Sequence, residues 1–422
     1  MLQTMAGAAC ATFLITALLL PALIPIARRT GLVDRPGGRR KHDKPVPAIG
    51  GVAIFLALML ATTWFVQPSS KLLGLGVAVL IIVAAGVADD IFRLKWPVRL
   101  AAQCLAALAM INLGGVRIEN LGEVFGPPGE SLGLLATPLT VLATVGIINA
   151  VNMADGVDGL AGLLILAACA MLGAAAAYAG NVGLMLALAL IGGAVGGFLV
   201  YNMRSPWTPR ARVFLGNAGS ELLGLLFACA SFRLTQNAAH PVGVQLAPFL
   251  LAPVLIDCLT LMVRRLRAGV SPFHGDRNHL HHLLLDAGLS ASRVAMVLAG
   301  ASLAIGCAAA VALKAHAPPM AFTLAFAALW AAYFLATGDR DRFVRRINAL
   351  GLKVGLIAPP APLEAWQIAI RAAGGRYRRK SDHPLHQDDD PRLEDGATAR
   401  FVGDAPASRG AAASAHEAAS PH

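Results

Sequence analysis

The chain reads as an all-α protein, a polytopic membrane helix bundle of about 11 transmembrane helices, with its N-terminus outside and its C-terminus cytoplasmic. Three observations predict this. Hydrophobic residues fill 56% of the 422 positions and charged residues only 14%, against about 25% charged in an ordinary soluble domain. Long apolar runs recur up to Thr337, and a soluble fold would have to expose them as large apolar patches. Lysine and arginine fall on alternate loops, as the positive-inside rule requires.

A spanning helix needs about 20 mostly apolar residues. The stretches that qualify are 5–27, 48–66, 72–88, 99–115, 132–149, 159–179, 181–201, 219–235, 246–263, 293–313 and 319–337. One set of connecting loops carries Arg28, Arg29, Arg39, Arg40, Lys41, Lys44, Arg93, Lys95, Arg99, Arg204, Arg264, Arg265, Arg267 and Arg277 among others. The opposite set carries only Lys71, Arg117, Arg233 and Lys314, so the first set belongs in the cytoplasm. No lysine or arginine precedes the first run, so no cleavable signal peptide is expected. Small residues such as Gly192, Gly193, Gly196 and Gly197 allow helices to pack closely in lipid.

Three segments follow from this pattern: a multi-span domain over 1–338, a basic cytoplasmic segment over 339–380 with room for a short interfacial helix, and a tail over 381–422. The tail is rich in Asp, Ala, Ser, Pro and Gly and is expected to be disordered. The formal net charge of +11 sits beside apolar spans. It points to topology and to anionic lipid or phosphate, not to nucleic acid. The six cysteines are scattered through apolar runs with no CxxC pair, which indicates neither a disulfide framework nor a zinc site.

The conspicuous polar clusters all fall on the face that the basic loops assign to the cytoplasm. Asp89 and Asp90 end the third span, and two adjacent carboxylates repel unless a cation or proton joins them. Mg²⁺ takes one or two carboxylates together with substrate phosphates; a solvated helix end is the plainer account of the pair. In NAVNMADGVDGLAG, Asn149, Asn152, Asp155 and Asp158 recur every three residues, which on a helix would place them on one side. Gly156 and Gly159 loosen that helix and admit a ligand to the backbone. Asn202 ends the seventh span. In FLGNAGS, Asn217 precedes the eighth, with Ser220 as a candidate N-cap and free N–H groups suited to phosphate.

The loop RRLRAGVSPFHGDRNHLHH gathers Arg277, His279, His281 and His282. Its neighbours are arginines, not acids or cysteines, so anionic phosphate suits it better than zinc. Asp257, within the ninth span, is either functional or paired with Arg264. The first loop, DRPGGRRKHDKPVPAIGG, offers Lys41 and His42 as substrate contacts, although positive-inside charge alone accounts for it. Glu221 is left without a role.

In order and spacing over roughly residues 10–340, these segments resemble the polyprenyl-phosphate N-acetylhexosamine-1-phosphate transferase family, that is, glycosyltransferase family 4. The SPFHGDRNHLHH loop looks like the branch that makes polyprenyl-diphospho-GlcNAc for O-antigen, enterobacterial common antigen or teichoic acid linkage. The resemblance implies transfer of a sugar-1-phosphate, GlcNAc-1-phosphate first among candidates, from a UDP-sugar to undecaprenyl phosphate, with release of UMP. It implies a bacterial inner-membrane enzyme working at the cytoplasmic face with Mg²⁺ (Mn²⁺ as alternative), with membrane lipid around it and with room for a homodimer. Carried over, Asp89, Asp90, Asp155 and Asp158 are catalytic, one of the first pair serving as base for the lipid phosphate. Asn152, Asn217 and Asp158 hold metal. Asn149, Asn202, Arg277, His279, His281, His282, Lys41 and His42 contact substrate, and Pro253 with Asp257 matches a PxxD motif. Asn217 departs from the family's GDAGS, where an aspartate is usual. It keeps an oxygen donor but brings no charge. Two rival readings stand beside this one: a multi-span transporter of nucleotide-sugars or anionic metabolites, and a catalytically weak relative that binds these ligands.

Overall fold

The structure is a computed structural model that describes residues 1–34, 45–122, 130–205, 208–237, 242–272 and 276–358. The chain divides into Met1–Ile357 and Ala358–His422, and only Ala358 of the second unit is described. The tail expected over 381–422 therefore lies outside the described residues, as do Lys41 and His42.

The first unit is a bundle of helices: α1 (Leu2–Thr30), α2 (Gly50–Phe65), α3 (Ser70–Phe92), α4 (Trp96–Asn112), α5 (Ala136–Ala154), α6 (Leu160–Tyr178), α7 (Val182–Asn202), α8 (Gly216–Thr235), α9 (Ala247–Leu250), α10 (Ala252–Arg267), α11 (Leu280–Asp286), α12 (Ala291–Lys314), α13 (Pro319–Ala336) and α14 (Arg340–Lys353). Two short strands, β1 (Val33–Asp34) and β2 (Val46–Pro47), pair antiparallel at the base of the first loop. Side-chain caps set several starts: Ser69 accepts from Leu72 N–H, Asn181 from Leu184 N–H and Ser290 from Arg293 N–H.

Each of the eleven apolar stretches is helical over most of its length. Seven helices among the described residues are long and apolar enough to cross a membrane, or eight if α9 and α10, bent by 81°, count as one broken span. The shortfall from about 11 lies in α2, α4 and α8. Helix α2 is apolar but has 16 residues. Helices α4 and α8 carry Arg99 and Gln103, and Asn217, Ser220 and Glu221, which lower their apolarity. A helix enclosed by other helices need not be apolar all round.

Helix α8 is the enclosed one. It is buried along most of its length and packs against α2, α3, α5 and α6. Glycines bring three of these neighbours to backbone contact. A methyl on Gly51 of α2 would overlap the Gly219 backbone, one on Gly86 of α3 the Ala218 backbone, and one on Gly224 of α8 the Ile148 backbone of α5. The same device joins α7 to α1, where Gly193 and Gly197 face the carbonyls of Ala9 and Phe13. Close approach of this kind maximises dispersion contact where lipid removes the hydrophobic drive.

The segment before α8 ties the ends of these helices together. Phe214 N–H donates to Pro47 O at 2.8 Å, Gly50 N–H to Phe214 O at 3.0 Å and Gly51 N–H to Leu215 O at 2.9 Å. The C-terminal ends of α3, α5 and α7 therefore meet the N-terminal ends of α2 and α8 at one end of the bundle. Replacing Gly51 with valine should cost about 1–3 kcal/mol through overpacking. Thermal unfolding in detergent checks this, and an unchanged midpoint would show that the α2–α8 contact has slack.

Candidate active site

The site begins with an electrostatic problem. Helix α8 starts at Gly216 with no side-chain cap from Leu215, leaving buried N–H groups without intrahelical acceptors. Asp90, near the end of α3, supplies them: Oδ1 accepts from Asn217 N–H at 3.0 Å and Oδ2 from Ala218 N–H at 3.3 Å. A carboxylate at a helix N-terminus also faces the positive end of its dipole. Gly216 has φ +75°, and a Cβ there would stand 2.7 Å from Asp90 Oδ2, so the position excludes a side chain twice over.

This alters two expectations. Ser220 does not cap α8. It sits inside the helix, donates to Gly216 O at 3.1 Å and accepts from Asn152. Nor do the N–H groups of Asn217 and Ala218 wait for phosphate, because the protein's own carboxylate accepts from them.

Asn152 brings α5 into the cluster. Its Nδ2 donates to Asn217 Oδ1 at 3.0 Å and to Ser220 Oγ at 2.8 Å. Asp90, Asn152 and Asn217 thus form one contiguous polar knot from three helices. Asp155 and Asp158 do not extend the Asn149–Asn152 face as the spacing suggests. Helix α5 ends at Ala154, Asp155 is its C-cap, and the chain turns through Gly159 at φ +82°. Two glycines in five residues end the helix instead of loosening it. Asp158 is then drawn to Arg204 at 2.6 Å. Asn202 holds this turn in place: Oδ1 accepts from Gly159 N–H and Nδ2 donates to Val213 O, both at 2.8 Å. Both ends of that buried amide are engaged with backbone, a framework role where substrate contact was expected.

A second polar layer lies one helical turn deeper. Asn149 Nδ2 donates to Gln103 Oε1 at 2.6 Å, and Gln103 Nε2 donates to Glu221 Oε1 at 2.9 Å. Arg99 stands between layers, with Nη1 3.5 Å from Asp89 Oδ2 and Nε 3.9 Å from Glu221 Oε1. Sequence reasoning gave Arg99 a topological role only, passed over Gln103 and left Glu221 unassigned. The i,i+4 spacing of Arg99 and Gln103 on α4, and of Asn217 and Glu221 on α8, was the available signal.

The histidine loop is built on Asp257 of α10. Asp257 accepts from Tyr333 Oη at 2.6 Å, from His279 Nδ1 at 2.8 Å and from Leu280 N–H at 3.0 Å. The expected alternative, a pair with Arg264, is not formed. Arg264 donates to Phe334 O and Thr337 Oγ1 at 2.6 and 3.0 Å and lies over the Phe334 ring. With Nδ1–H given to Asp257, His279 presents Nε2 as an acceptor, 3.5 Å from Arg265 Nη2. The His281 ring stacks on His279 at 5.5 Å, and His282 tilts against it at 4.2 Å.

His281 Nε2 abuts Gly156, where a Cβ would overlap it. That contact joins the histidine loop to the turn after α5. Arg277 lies 3.7 Å from Asp286.

Burial, with help from neighbouring cations, holds His281 well below the ordinary imidazole range and lowers His282 to about 4. Near neutral pH both rings are uncharged and act through single donors and acceptors. His282 Nδ1 is buried with no hydrogen-bond partner among the described residues.

Among the described residues no three His, Cys, Asp or Glu side chains converge as a preformed metal cage. The oxygens present, two carboxylates at Asp89 and Asp90 with the amides of Asn152 and Asn217, fit a hard cation that takes few protein ligands and completes its shell with phosphate.

Because the folded state protonates His282 only near pH 4 while the unfolded chain does so near 6.5, the unfolded state binds more protons between these values. Stability should fall as pH drops from about 6.5 toward 4 and level off below that. Thermal midpoints of wild type and His282→Asn across this range test it, with a flatter profile expected for the variant.

A family-wide profile of glycosyl transferase family 4 matches residues 72–235, the stretch that carries the knot and the layer beneath it. The undecaprenyl-phosphate alpha-N-acetylglucosaminyl 1-phosphate transferase of Haemophilus influenzae is 37% identical over 289 residues, covering 68% of this chain and 81% of the relative. The protein of the same name from Pasteurella multocida is 37% identical over 290 residues, covering 68% and 80%. Its namesake from Escherichia coli K12 is 29% identical over 290 residues, covering 68% and 77%. The family match, the apolar helices that carry it and this extent of identity establish that the chain belongs to glycosyl transferase family 4 and is a membrane-bound transferase.

Proposed function

We propose that the protein transfers a sugar-1-phosphate, GlcNAc-1-phosphate in the first instance, from a UDP-sugar to undecaprenyl phosphate. The observation that carries this reading is the polar knot of Asp90, Asn152 and Asn217, set at one end of an apolar bundle beside a histidine- and arginine-rich loop. The names of the relatives supply the substrate class. The site would face the cytoplasm of the bacterial inner membrane, where the basic loops lie under the positive-inside rule.

In the reaction, an oxygen of the lipid phosphate attacks the phosphorus that bears the sugar, and UMP leaves. A phosphate monoester has a second pKa of about 6, so the nucleophile is largely ionised before it binds. The chief barrier is therefore the approach of two anions, and the protein's task is to neutralise and align them. Arg277 and Arg99 bring positive charge to the rim, and neutral His281 and His282 offer directed donors without repelling an arginine. Mg²⁺, held by Asp89 and Asp90 with the Asn152 and Asn217 amides, would supply the remaining neutralisation of phosphate charge. Asp158 was expected among the metal ligands; it pairs with Arg204, whereas Asp90 stands against Asn217 and is the better candidate. Apolar surface between spans would receive the polyprenyl chain.

Purified full-length protein in detergent with Mg²⁺, UDP-GlcNAc and undecaprenyl phosphate tests the reading. UMP release matched by lipid-linked sugar is expected, and chelation should stop it. Binding of both substrates without UMP would instead make the protein the weak relative that Asn217 suggests, and passage of intact UDP-sugar across vesicles would make it a transporter. Asp90→Asn should cut turnover by about a hundred-fold or more, as loss of a group acting on developing charge does. Turnover at the wild-type rate would remove Asp90 from the chemistry.

A further inference from the structure

One buried ionisable side chain has no part in the reaction as described. Glu221 lies one turn along α8 from Asn217 and is 1% exposed. Its Oε1 accepts from Gln103 at 2.9 Å. Burying a carboxylate costs more than burying a neutral amide of the same shape, and glutamine here could still accept from Gln103. Packing and hydrogen bonding therefore explain a side chain of this size, but not its charge.

The cation facing that charge is Arg99. Its guanidinium stands between two carboxylates, 3.5 Å from Asp89 and 3.9 Å from Glu221. Both separations exceed ordinary charge-assisted hydrogen bonds, and Arg99 Nε is buried without any hydrogen-bond partner. Arg99 is thus shared by two carboxylates and bonded tightly to neither. The balance is directional. Without Glu221, the attraction of Asp89 is unopposed, and a bidentate arginine–carboxylate pair is the favoured geometry. Such a pair would engage both oxygens of Asp89 and cancel its charge toward the reaction site.

We propose that Glu221 is a positioning residue for the transfer reaction: by drawing Arg99 away from Asp89, it keeps the Asp89 carboxylate open to the site. The inference rests on the transfer reading above. Gln103 donates to the same Glu221 oxygen that faces Arg99 and is itself held by Asn149, so the counterweight is anchored to α4 and α5.

Charge and shape separate in two variants. Glu221→Gln keeps the shape, and its kcat should fall about ten-fold or more with KM for UDP-GlcNAc within about two-fold. Glu221→Asp keeps the charge and should retain most of kcat. A merely structural role predicts the reverse order, since the shorter side chain loses the packing. Glu221→Gln at the wild-type rate, or Glu221→Asp slower than Glu221→Gln, overturns the proposal. Should Glu221→Gln not fold, Arg99→Gln is compared with Arg99→Gln/Glu221→Gln, in which both partners go together. Equal turnover is expected, because Glu221 acts only through Arg99; a double variant about ten-fold slower overturns it. A wild type inert toward UDP-sugars overturns the transfer reading and this inference with it, whereas an active wild type with an unimpaired Glu221→Gln overturns this inference alone.

Discussion

The contact between Asp90 and the start of α8 is the constraint on which the rest of the structure depends. A helix that begins inside a membrane protein has N–H groups that neither water nor its own carbonyls satisfy. Here the carboxylate of a different helix accepts two of them. The fold thereby fixes α3 against α8 at the point where Asn152 and Asn217 meet. Glycines at the crossing points let the backbones come close enough for these short polar side chains to touch. Folding and site assembly are served by the same atoms.

The sequence made the membrane class and most helices legible because apolar length and positive-inside charge are one-dimensional signals. Helix α8 was read as a span over 219–235, but its start at Gly216 takes in polar residues whose protein neighbours only the fold brings near. The site was legible as a set of residues rather than as an arrangement. Asn152 and Asn217 were marked for metal, and the structure places them in mutual contact. Asp158, one motif repeat later, was grouped with them by a helical period that stops at Ala154. What misled the reading was treating Gly156 and Gly159 as flexible helix residues when the positive φ of Gly159 marks a turn.

Long-range partners were the other gap. Asp257 and Arg264 lie close in sequence on one helix, so a local pair was the natural reading. In the fold each reaches α13, Asp257 through Tyr333 and Arg264 through the Phe334 carbonyl and Thr337. The Arg99–Gln103 spacing hinted at a shared face of α4, but the meaning of Gln103 comes from Asn149 and Glu221 on helices distant in sequence. The cluster is thus layered, with Asp90, Asn152 and Asn217 above and the Asn149–Gln103–Glu221 chain below.

Helix α13 has almost none of its apolar length buried. Besides its aromatic contacts with Phe249, it is held to α10 by three polar links: Trp330 to Thr260, Tyr333 to Asp257, and Arg264 to the Phe334 carbonyl and Thr337. Tyr333 and His279 share one carboxylate, so any tilt of this outlying span displaces an anchor of the histidine loop. A span at the edge of the bundle thus helps to hold, through Asp257, the loop that carries His279, His281 and His282.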